Sequence, residues 1–134
     1  MKYELDTSIV IRLLVGDSLE LHAAALRFLD EAFANGDQIF ISDLVISEAY
    51  FALQHHYQST KQDAIESLRL LLLGGEIRAS GHSEEVFSVP NLATAKPGFV
   101  DRLIHANAVN SGCQWVTFEK SASKLPHTLV LKKS

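Results

Sequence analysis

KYELDTSIVIRLL, residues 2–14, decides the fold. Lys2 to Leu5 reads as a short strand, and Thr7 to Val15 as a helical stretch. Asp6 stands at the handover. Working outward, the same alternation recurs to the end of the chain. Leu19 to Ala34 carries apolar residues at helical spacing (Leu21, Ala25, Phe28, Leu29, Ala32 and Phe33) and stops at Asn35-Gly36. Gln38 to Ile41 predicts a strand, and Ser42 or Asp43 caps the next helix, which runs to Tyr57. Thr60 opens a helix that passes through LRLLLL to Gly74-Gly75. Glu76 to Ala79 predicts a strand, and Ser83 begins a helix interrupted near Pro90. After the Pro97-Gly98 loop, Phe99 to Asn110 is helical, Gln114 to Thr117 a strand, Glu119 to Lys124 a short helix and Thr128 to Leu131 a last strand. Strands alternating with helices predict an α/β fold with a mostly parallel sheet. No repeat or linker interrupts the pattern, so residues 1–134 are expected to form a single domain.

Four acidic residues stand out against this frame: Asp6, Glu48, Asp101 and Glu119. In open α/β sheets, ligands bind outside the carboxyl ends of the strands. Asp6 and Glu119 each follow a strand, and the Ser42 helix leaves the end of the second strand with Glu48 on it. Each acid also has an ordinary structural explanation. Asp6 suits a helix N-cap, with Thr7 and Ser8 as competitors for that role. Asp101 and Glu119 suit the first turn of a helix, where a negative charge meets the positive end of the dipole. Glu48 has Leu44, Val45, Phe51 and Ala52 at helical spacing, which predicts partly buried surroundings, or else a helix-edge position reaching water. Taken together, four carboxylates at one edge of the sheet suggest a shared hard cation with oxygen ligands, Mg²⁺ or Mn²⁺. Such an ion makes a bound water easier to deprotonate and stabilises charge on phosphoryl oxygens, so metal-dependent phosphodiester hydrolysis is the reaction class expected.

Composition sets bounds on this reading. An apolar fraction of 47% and a charged fraction of 21% are ordinary for a soluble globular domain. No apolar run approaches the roughly 20 residues of a membrane span, and MKYELDTSIVIRLL lacks the features of a secretory signal. Cys113 is the single cysteine, which excludes an internal disulfide and a cysteine-rich zinc site and favours the cytoplasm. A net charge of -4 argues against a general electrostatic grip on nucleic acid, though not against an enzyme that acts on it.

LDTSIVIRLLVGD, ISDLVISEAYFAL, GFVDRLIHANA and WVTFEK, in that order and spacing, resemble the PIN-domain nucleases, and most closely the VapC-type ribonuclease toxins of toxin–antitoxin pairs. The resemblance covers nearly the whole chain. It implies a PIN-like three-layer α/β/α domain with a central, mostly parallel sheet. It also implies a Mg²⁺- or Mn²⁺-dependent endoribonuclease in which Asp6, Glu48 and Asp101 correspond to the family's three principal acids and Glu119 to the fourth. Ser8 and Thr117 match polar residues beside the metal. An RNA substrate, a cognate antitoxin that covers the site and a homodimer are implied as well. Two positions depart from the pattern: Glu119 stands where Asp is usual, and Gly98 where a further acid is common.

The departures motivate an alternative, a non-catalytic PIN-like module that binds a protein partner or RNA. A structure-specific DNA nuclease is a third reading, which 134 residues scarcely accommodate. The six histidines show no zinc-type spacing, and no P-loop, GxGxxG or GxSxG motif occurs. His105 is read as a solvated or core-edge residue, and Arg12, Arg102 and Lys120 as solvated charges rather than phosphate ligands. LRLLLL and the Phe28/Phe33 stripe are read as core, and Cys113 as a buried structural thiol.

Overall fold

The computed structural model describes residues 1–133. Among the described residues, five strands, β1 (Lys2–Glu4), β2 (Gln38–Ile41), β3 (Ile77–Ala79), β4 (Trp115–Thr117) and β5 (Thr128–Val130), alternate with six helices. The helices are α1 (Thr7–Leu14), α2 (Leu19–Ala34), α3 (Asp43–His56), α4 (Lys61–Leu73), α5 (Ser83–Phe87) and α6 (Phe99–Asn110), and a 3-10 helix spans Lys120–Lys124. The architecture is the three-layer α/β/α type expected, and every strand pairing is parallel.

Local chemistry accounts for the helix starts. Ser18 Oγ accepts from Leu21 N, Ser42 Oγ from Val45 N and Thr60 Oγ1 from Asp63 N, at 3.4, 3.2 and 3.0 Å. Each such cap is worth about 1 kcal/mol. Gly36, with φ 75, reverses the chain after α2 in a conformation that costs glycine nothing.

β2 is the spine. It pairs with β1 (Tyr3 opposite Ile39) and with β3 (Ile39 opposite Ile77). Ile39 and Ile41 are fully buried and Phe40, on the other face, is half-buried, so both faces are covered, as a parallel strand requires. Val10, Ile46, Leu68 and Leu103 complete the centre of the core. LRLLLL is divided by its helical period: Leu68 and Leu72 are buried, whereas Leu70 and Leu73 face solvent. Phe28 is partly exposed and packs edge-on against Tyr3 at 5.2 Å.

Hydrogen bonding divides the strands into two groups, β1-β2-β3 and β4-β5. α6 carries the chain from one to the other. Its Phe99 stacks on Phe87 of α5 and meets Tyr50 of α3 edge-on, with ring centres 4.9 Å apart in both pairs. The same packing buries Tyr50 and pushes its hydroxyl above the usual tyrosine range. His105 is a core-edge residue as expected: its ring lies edge-on to Trp115, and Nε2 is 2.7 Å from the Pro126 carbonyl. Cys113 departs from expectation, for it is exposed in the turn after α6.

Candidate active site

The site is built where β1 ends. Leu5 is buried and its N–H donates to the Phe40 carbonyl, which fixes the strand end against β2. Asp6 occupies the N-cap position of α1, but its carboxylate makes no cap bond. The Asp6 carbonyl takes that part, accepting from Ile9 N at 3.0 Å and Val10 N at 3.2 Å. The exposed carboxylate is left to accept from Ser8 Oγ at 3.0 Å. One residue along, Thr7 Oγ1 donates to Glu48 Oε1 at 3.4 Å, so α1 links the first two predicted acids. Asp6 and Ser8 line a groove of about 570 Å³ whose apolar wall includes Leu21, Ala25 and Phe28. Arg12, also on this groove, pairs with Asp17 at 2.6 Å.

Glu48 takes the second of the two positions expected for it, the helix edge reaching water, and not the partly buried one. It is exposed, because Leu44 and Phe51 beside it are themselves 71% and 46% exposed. Its apolar neighbours mark a helix shoulder and not the core face, which is formed by Ile46, Ala49, Tyr50 and Leu53.

Asp101 lies in the first turn of α6, partly buried, with no side-chain hydrogen bond among the described residues. The neighbouring Arg102 is held by the chain itself, donating to the Pro97 carbonyl at 2.8 Å. Glu119 takes a structural role, but as a side-chain cap and not as the first-turn acid expected. It is the N-cap of the 3-10 helix, accepting from Ser121 Oγ at 2.9 Å and Ser121 N at 3.3 Å. These two bonds favour the charged form and hold its carboxyl below the usual glutamate range, with a smaller contribution from Lys96. Thr117 supports this turn by accepting from Glu119 N at 3.1 Å.

Asp43 is the acid that sequence reasoning passed over. With Ser42 capping α3, the Asp43 carboxylate is free to reach across the fold. It accepts from His82 N at 3.0 Å, Ser83 N at 3.1 Å and Asn107 Nδ2 at 2.8 Å. It thereby caps α5 from a distance and ties α3 to α6. A signal was present: α5 begins at Gly81-His82-Ser83, and His82 in the N-cap position makes no side-chain cap bond. The unpaired N–H groups of that first turn need an acceptor from elsewhere.

The PIN domain family model matches residues 3–127. The chain belongs to the PIN-domain family. No curated protein matches it. Among solved structures, this PIN domain is similar to Mycobacterium tuberculosis VapC20, a Sarcin-Ricin loop cleaving toxin. That likeness has a TM-score of 0.41 and 16% identity, over 92% of each chain.

The donors at the candidate site are all oxygen, which suits Mg²⁺ or Mn²⁺ in kind. Their spacing does not yet suit it. Among the described residues, no three Asp, Glu, His or Cys side chains are grouped to hold an ion. Asp6 and Glu48 are linked through α1, while Glu119 is turned to Ser121. As arranged here, the site is a pair of acids with hydroxyl partners and no complete cage. A carboxylate with one hydroxyl donor can orient a water or accept a proton, and that is the chemistry this arrangement supplies.

Proposed function

We propose that this PIN domain is a metal-dependent endoribonuclease that hydrolyses RNA phosphodiester bonds, and that it is the toxin of a type II, VapBC-like toxin–antitoxin pair. The family match over residues 3–127 carries this reading. The uncapped Asp6 carboxylate at the end of β1, with Ser8 beside it and Glu48 one hydroxyl away, supports it locally. Asp6, Glu48 and Asp101 are the proposed metal ligands, with Glu119 the fourth and Ser8 and Thr117 orienting them. Mg²⁺ or Mn²⁺ is the proposed cofactor. A cognate antitoxin is the proposed protein partner, a homodimer the proposed assembly and the cytoplasm the proposed location. The whole chain would act as one domain. The test is RNA and DNA cleavage with Mg²⁺ or Mn²⁺ against EDTA. Metal-dependent cutting confined to RNA is the expected result, whereas cutting of DNA alone would replace it with the DNA-nuclease reading.

A second reading is favoured by one observation. Because no three metal-binding side chains are grouped among the described residues, a non-catalytic PIN module that binds a protein or RNA fits the present arrangement. It predicts a folded protein whose melting temperature Mn²⁺ leaves unchanged.

A further inference from the structure

β4 and β5 are parallel, with Thr117 opposite Val130 and Leu131 N donating to the Thr117 carbonyl at 2.8 Å. Both strands therefore release the chain at the same end. β4 leaves as Phe118-Glu119-Lys120, and β5 as Leu131-Lys132-Lys133. The two exits together form a groove of about 880 Å³ lined by Phe118, Lys120, Leu131, Lys132 and Lys133. Phe118 is 71% exposed, a ring left open to solvent beside the lysines. Among the described residues, no carboxylate lines the groove and none of its lysines is in an ion pair. A chain of net charge -4 thus presents three cations and an open ring in one place.

We propose that this groove binds a single RNA strand, with Lys120, Lys132 and Lys133 meeting phosphates and Phe118 stacking on a base. This combination of a cationic track and an aromatic platform is how single strands are held without sequence preference. Charge decides between occupants. A symmetric pairing of this groove with its copy would set lysines against lysines, whereas the evenly spaced phosphates of a single strand neutralise them along its length. The proposal rests on the nuclease reading for its substrate, since Glu119 lies between Phe118 and Lys120.

The test is fluorescence anisotropy of a labelled single-stranded oligoribonucleotide, titrated at several salt concentrations in EDTA. Lys120→Gln/Lys132→Gln/Lys133→Gln should lower the slope of log K against log salt by about 2, since each phosphate contact on a single strand contributes roughly 0.7. Phe118→Ala should weaken binding roughly tenfold with the slope unchanged. The triple Lys→Arg variant, which keeps the charge, should bind as the wild type does. Wild-type slope and affinity in the triple Gln variant would overturn the proposal. So would absence of RNA binding by the wild type, or a preference for poly-glutamate over RNA that marks an acidic protein as the occupant. The two readings separate in one further assay. Lysine-dependent binding without metal-dependent cutting keeps the groove and removes the nuclease. Cutting with an unchanged KM in the triple Gln variant does the reverse.

Discussion

Two acids in similar local settings meet different fates. Asp6 and Glu119 each follow a strand and precede a helix, and each is exposed. Glu119 folds back onto Ser121, whereas Asp6 leaves capping to its own carbonyl. The sequence allows each a structural role beside the ligand role, a cap for Asp6 and a first-turn acid for Glu119, because a carboxylate suits either. Only backbone geometry separates them. Glu48 is left between a partly buried and a helix-edge position for a related reason. Helical spacing identifies its neighbours but not which of those neighbours are covered. In an NMR titration, Glu119 should titrate below the usual glutamate range, and Ser121→Ala should return it towards that range. A lowered folded value means that Glu119 stabilises the fold above its unfolded pKa, and that this contribution is lost as pH falls through the folded value. Asp6→Asn should change stability by less than about 0.5 kcal/mol, because the carboxylate is exposed and holds only one hydroxyl. A larger loss in chemical denaturation would make Asp6 a structural residue.

Among the elements, the Asp43 clasp matters most. It joins α3, α5 and α6, the last of which carries Asp101. Asp43→Ala should destabilise the fold by about 3 kcal/mol, since it leaves partly buried N–H groups without their charged acceptor. Gly81 closes the clasp from the other side. A Cβ there would lie 2.4 Å from Asp43 Oδ2, and the carboxylate cannot move aside without losing its partners. Gly81→Ala should therefore cost about 2 kcal/mol. The double variant should cost clearly less than the sum, because both changes break one network. Full additivity in urea denaturation would show that the two act separately. The caps at Ser18, Ser42 and Thr60 were readable because donor and acceptor lie three residues apart. The clasp was not, since its partners are 39 to 64 residues away. The strands and helices themselves were legible almost residue by residue, as punctuation by Gly, Pro and Ser marked their ends.

For the whole molecule, the alternation of elements conveyed a parallel α/β fold, but pairing between strands remote in sequence was not legible. The division into β1-β2-β3 and β4-β5 had no local signal. Net charge misled in a similar way. A total of -4 says nothing about where cations collect, and three of them meet beside Phe118 only because β4 and β5 run parallel. If the four acids draw together around a metal, binding to the folded state alone must stabilise it. At a Mn²⁺ concentration a hundred times Kd, the gain is about 2.7 kcal/mol. That corresponds to a rise in Tm of roughly 10 °C for a domain of this size. The rise should be absent in Asp6→Asn. An equal rise in both proteins would place the ion elsewhere.

Single-turnover cleavage of a structured RNA pool with Mn²⁺ or Mg²⁺ would show whether these acids hold a working metal. Wild type would be compared with Asp6→Asn, Glu48→Gln and Asp101→Asn, each verified as folded. A metal-dependent ribonuclease should show cutting that EDTA stops and that each substitution slows by more than about a hundredfold, beyond the usual effect of a residue acting behind a metal ligand. Cutting that continues at the wild-type rate in Asp6→Asn, or no cutting by the folded wild type with either metal, would contradict that reading.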